Sequence, residues 1–143
     1  MSGFWRNWLS LWCVGVIVFG VVLLLGGLSA TSALTVALLD QLNGDAPLEV
    51  TPPLYFANGV LGGVSIGWGV ATLGAVRVAA DLGAQGTRLW RWLTAGVLSW
   101  FVTDSTLSVA TGFGLNVVPN MVLLITFFVP LFATGVLSGR PAK

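Results

Sequence analysis

Residues 89–111 read LWRWLTAGVLSWFVTDSTLSVAT, and the fold turns on whether this stretch crosses a membrane. At ~1.5 Å per residue it is long enough to traverse ~30 Å of hydrocarbon as a helix. Arg91 sits where its side chain can snorkel to the surface, and Trp90 and Trp92 mark that surface as interfacial aromatics do. Yet the stretch also carries Asp104, an acid inside a candidate span.

Three further stretches, about 9–28, 54–76 and 117–137, are apolar over a similar length. With 89–111 they predict an all-α, four-helix transmembrane bundle. All six basic residues, Arg6, Arg77, Arg88, Arg91, Arg140 and Lys143, then share one compartment, while Asp40, Asp45 and Glu49 lie in the other. This is the positive-inside pattern, and it predicts cytoplasmic N- and C-termini. The connections become an extracytoplasmic loop 29–53 and a cytoplasmic loop 77–88.

Composition agrees. Of 143 residues, 56% are hydrophobic and 8% charged. A soluble domain carries about 25% charged residues, so this chain cannot coat itself with a wetted surface. The expectation is a single integral membrane domain over 1–143. Histidine is absent and the one cysteine is Cys13. Haem ligation would fall to Met1 and Met121, a zinc site lacks its clustered ligands, and thiol–disulfide chemistry lacks a second thiol. No metal, cofactor or catalytic group is expected, and Cys13 reads as a small apolar packing residue. The basic residues form no stripe, so the expected partners are the lipid bilayer, a second copy or another membrane protein, and a small-molecule or lipid ligand, not nucleic acid.

In the first span, Trp5, Trp8 and Trp12 cluster at the cytoplasmic end like an interfacial belt. A rival reading takes Arg6, the apolar run and Ser29, Ala30, Thr31, Ser32 and Ala33 as a signal peptide with its cleavage region. The apolar run exceeds the about 7–15 residues of such a segment, and cleavage would remove the Trp-rich anchor. Beyond it, Leu34, Leu38 and Leu42 recur at intervals of four, with Ser32 placed to cap and Gly44 to end a short interfacial helix. Pro52 and Pro53 close the loop that follows.

In the second span Gly59, Gly63, Gly67, Ala71 and Ala75 form a small-residue ladder at intervals of four, the pattern that lets another helix approach backbone to backbone. Gly112 suits a left-handed cap after the third span, and Asn116 is placed to cap the fourth. Pro119 fits the first turn of that helix. Pro130 lies deep within it and strips the Thr126 carbonyl of its normal amide donor.

Asp104 lies ~18 Å from the cytoplasmic interface and ~10 Å from Thr111, in the outer half of the membrane. Exposed to lipid, an ionised carboxylate there costs about 2.5–3.5 kcal/mol on insertion scales, so it should face the bundle interior or a wet cavity. No Lys or Arg shares its depth. It must be neutral and donate, or be held as an anion by hydrogen bonds. Ser108 and Thr111 follow on the same helix face and Trp100 precedes by one turn, while Asn58 and Asn120 lie one turn inside neighbouring spans. These residues predict an outward-facing polar pocket of Asn58, Asp104, Ser108 and Asn120, walled by Trp68 or Trp100. The same set reads equally as a buried latch that fixes helix register.

The run Trp100-Phe101-Val102-Thr103-Asp104-Ser105, with Ser108, Thr111-Gly112 and Asn116 to Asn120, resembles the third-to-fourth-span region of small bacterial four-span inner-membrane proteins of uncharacterised function. Gly59-Val60-Leu61-Gly62 and Gly67-Trp68-Gly69 are similar to their second span. The resemblance covers most of the chain and implies a bacterial inner-membrane location without supplying an activity. Small multidrug transporters share the size and span count, but their key acid lies in the first span, where this chain has none. The expected role is a non-catalytic membrane protein acting through helix packing or membrane partners. The alternative is a binding or transport protein, for a small molecule, a lipid, or a proton or cation, built around Asp104.

Overall fold

A computed structural model describes residues 1–43 and 48–138; Gly44, Asp45, Arg140 and Lys143, which entered the cap and charge readings, lie outside them. The described residues are helical, with no strand. The α-helices are α1 (Gly3–Leu25), α2 (Ala33–Leu42), α3 (Pro52–Asp81), α4 (Thr87–Ala110) and α5 (Val117–Thr134). Short 3₁₀ turns at Gly83–Gly86 and Gly114–Asn116 join α3 to α4 and α4 to α5. Three stretches are long and apolar enough to cross a membrane: Gly3–Leu25, Pro52–Asp81 and Gly114–Thr134. Helix α4 has 24 residues, a comparable length, but its hydroxyls, arginines and Asp104 leave it less apolar.

The four long helices close into a ring, with contacts from α1 to α3, α3 to α4, α4 to α5 and α5 back to α1. Neighbours run antiparallel. At one end, here called basal, Arg6 of α1 pairs with Asp81 of α3 at 2.7 Å and Arg91 of α4 reaches the Leu137 carbonyl beyond α5. At the other, apical end, Gly27 meets Gly59, and α2 folds back onto the bundle: the fully buried Thr35 donates its hydroxyl to the Val22 carbonyl at 2.7 Å.

The closest pair is α1 with α3. A Cβ added at Gly62 would come within 2.6 Å of the Gly20 carbonyl oxygen, and one added at Gly20 within 2.8 Å of the Ile66 amide nitrogen. Gly69 faces Ile17 in the same way, with 2.6 Å to its Cγ1. Only glycine permits this approach, and dispersion between the two backbones is the gain where lipid offers no hydrophobic drive. The ladder Gly59, Gly63, Gly67, Ala71, Ala75 is therefore not the packing face within the chain. Gly59 touches Gly27, but Gly63 and Gly67 face open space and Ala71 is exposed, while Ala75 is half-buried.

Several local expectations need correction. Helix α3 runs on through Arg77 to Asp81, and α4 starts at Thr87, so most of the expected loop 77–88 is helical. Trp12 and Trp90 do not lie on the surface of the bundle: both are buried in the apolar core with Leu9, Cys13, Val16, Val76, Ala79, Val97, Phe127 and Leu131. Trp92, by contrast, is 67% exposed. Ser32 and Asn116 do not cap. Each has helical backbone angles (φ −74°, ψ −11° and φ −63°, ψ −20°), whereas a capping side chain needs an extended residue to reach back to the first amides. Ser32 instead donates to the Ser29 carbonyl.

Two other signals have direct counterparts. Gly112 takes φ +90° just past α4. The Thr126 carbonyl, which Pro130 cannot serve, accepts the Trp8 indole Nε1–H at 2.8 Å, and one turn away Leu123 accepts that of Trp12 at 2.9 Å. The proline's missing amide is thus replaced from a neighbouring helix.

Candidate functional site

Asp104 lies six residues before the end of α4. It faces the start of α5, because the tight Gly112–Asn116 connection folds the two helices side by side. Asn120 Nδ2 donates to Asp104 Oδ2 at 2.6 Å, and Asn116 Nδ2 donates to the same oxygen at 3.2 Å. Each amide uses its second hydrogen on a serine of α4: Asn116 on Ser108 Oγ at 3.0 Å and Asn120 on Ser105 Oγ at 3.3 Å. The result is two parallel forks between α4 and α5. Ser105 and Ser108 flank the carboxylate, and two asparagines four residues apart clamp it.

Both amides donate and the carboxylate oxygen accepts. No described basic residue is near. Arg6, Arg77, Arg88 and Arg91 belong to the basal turns, and among the described residues the one ion pair is Arg6–Asp81. The second carboxylate oxygen, Oδ1, takes part in no hydrogen bond among the described residues, and Asp104 is half-buried.

Of the residues expected in the pocket, Asp104, Ser108 and Asn120 come together, and Asn116 and Ser105 join them. Asn58 does not take part. It is 6% exposed and buried on the apical part of α3, with no side-chain hydrogen bond among the described residues. Trp100, one turn before Asp104, meets Trp68 with ring centroids 5.8 Å apart. Trp68 in turn meets Trp12 at 6.0 Å, and Trp12 meets Phe127 at 5.3 Å. The two expected wall residues are thus the apical end of an aromatic column rooted in the core. Asn116 was legible only as a cap. The available signal was its spacing from Asn120, since residues four apart present two amides to one neighbour.

Among the described residues, no group of three or more His, Cys, Asp or Glu side chains converges to hold a metal. No family model, curated protein or solved structure matches the chain.

Proposed function

We propose that the chain is a small integral membrane protein of the bacterial inner (plasma) membrane that acts without catalysis, through helix packing or association with membrane partners. In this reading α4 is the fourth span, the basal end and both termini are cytoplasmic, and α2 lies at the outer interface. The observation that carries it is the hydrogen-bond network that joins Asp104 Oδ2 to Asn116 and Asn120. All four hydrogens of the two amides are used within the α4–α5 pair, so the most costly group in the membrane works as a latch between two helices. Support for association comes from Gly63, Gly67 and Gly74 on α3, none of which meets another atom that a Cβ would touch.

A second reading, a small-molecule, lipid or proton/cation-coupled binding or transport protein, is favoured by Asp104 Oδ1 and the buried Asn58, which make no side-chain hydrogen bond among the described residues. The Asp104→Asn variant separates the two. Asn keeps one carbonyl oxygen that both amides can reach, so a latch survives with a melting point close to wild type. In proteoliposomes, a pH gradient that collapses through the wild type and not through Asp104→Asn would sink the latch reading; equal, background-level leakage through both supports it.

A further inference from the structure

The basal end has an unbalanced charge. Its one described acid, Asp81, is taken up by Arg6 at 2.7 Å. Arg77, Arg88 and Arg91 are exposed and have no ion-pair partner among the described residues, and Arg91 makes only a long contact to the Leu137 carbonyl. Arg77 lies one turn before the end of α3, and Arg88 and Arg91 lie in the first turns of α4, so the Gly83–Gly86 turn brings all three to one rim. Around them Trp92 is 67% exposed, Val78 52% and Leu82 46%. An exposed indole and exposed aliphatic side chains beside guanidinium groups match the depth at which hydrocarbon gives way to headgroups. All three groups are arginine, whose planar fork binds phosphate oxygens in pairs.

We infer that the Arg77–Arg88–Arg91 rim is a binding surface for the phosphate of anionic phospholipids in the basal leaflet, and that the Arg6–Asp81 pair limits its strength by withholding a fourth arginine. This rests on the membrane-embedded reading proposed above. An arginine near an anionic surface strengthens binding about fivefold.

The test is native mass spectrometry of the full chain ejected from nanodiscs of equal phosphatidylglycerol and phosphatidylcholine. The wild type should carry phosphatidylglycerol in preference, and Arg88→Gln should lower that preference about fivefold. The triple Arg77→Gln, Arg88→Gln, Arg91→Gln variant should abolish it. Asp81→Asn should raise it, a gain that a damaged protein would not show; the ion pair it removes is exposed and adds little to stability. A wild type that takes both lipids equally, a triple variant that keeps the preference, or an Asp81→Asn variant that lowers it would overturn the inference. Release of the protein from membranes by alkaline carbonate would sink the membrane reading itself, and this inference with it.

Discussion

The two ends of the bundle solve the same problem in opposite ways. The basal half is filled by apolar side chains from all four long helices, with Trp90, Phe127, Leu9 and Leu131 fully buried. There packing overrides polarity: Trp90 Nε1 and Thr94 Oγ1, one turn apart on α4, are buried without a hydrogen-bond partner among the described residues. The apical half buries Ser32, Thr35, Asn43, Asn58, Ser108 and Asn120. Its cross-element hydrogen bonds tie α2 to α1 through Thr35 and α4 to α5 through Asp104. Helix α4 runs through both halves. It is the least apolar of the four, and its polar groups are supported where α5 begins.

The contrast can be broken most severely between the halves, at the glycine contact of α1 and α3. Gly62→Leu should prevent the pair from closing and leave little folded protein, read by circular dichroism and size-exclusion profile in detergent. Gly63→Leu, one position round the helix, should change stability by less than about 0.5 kcal/mol in the isolated chain. Next comes the apolar half, where Phe127→Ala should cost about 3–5 kcal/mol through the cavity it leaves. At the apical half Asp104→Leu leaves one hydrogen of each of the two amides without its acceptor and should cost about 1–3 kcal/mol in a reversible unfolding assay. If Asp104→Leu proved as stable as wild type, the latch would have no energetic content.

The smallest effect is the sharpest comparison, because one substitution should change sign between the ends. Thr35→Val removes a hydroxyl that donates to the Val22 carbonyl, so it should destabilise by about 0.6 kcal/mol, the membrane average for such a bond. Thr94→Val removes a hydroxyl with no partner and should be neutral or stabilising by up to about 1 kcal/mol. Equal losses at both sites would remove the distinction between a polar end that is paired and an apolar end that is packed.

Helix positions, the Gly112 turn and the meeting of Asp104 with Ser108 and Asn120 were legible because each depends on short-range spacing. The face of α3 that packs was not, and the reason is geometric. At 3.6 residues per turn, steps of four advance about 40° each, so a five-member ladder from Gly59 to Ala75 winds about 160° around the helix. It starts against Gly27, crosses the open side at Gly63, Gly67 and Ala71, and ends half-buried at Ala75. Gly62 and Gly69, seven apart, return to within about 20° of each other and stay under α1. The orphaned carbonyl of Thr126 was readable from Pro130 alone, but its donor, Trp8, is 118 residues away in sequence and becomes visible only when α1 and α5 are adjacent. Asn116 was misread for a similar reason. Its local pattern suits a cap, and a carboxylate twelve residues earlier claims the amide instead.

The central claim is that α4 crosses the membrane with its acid held by α5. It is tested most directly by placing single cysteines in a Cys13→Ala background at Gln85, Leu115 and Ser138, all exposed, and adding a membrane-impermeant thiol reagent outside intact cells. If α4 crosses, Leu115→Cys is labelled while Gln85→Cys and Ser138→Cys are both protected. Labelling at Ser138→Cys with protection at Leu115→Cys and Gln85→Cys would mean that α4 stays on one side, and would contradict the account.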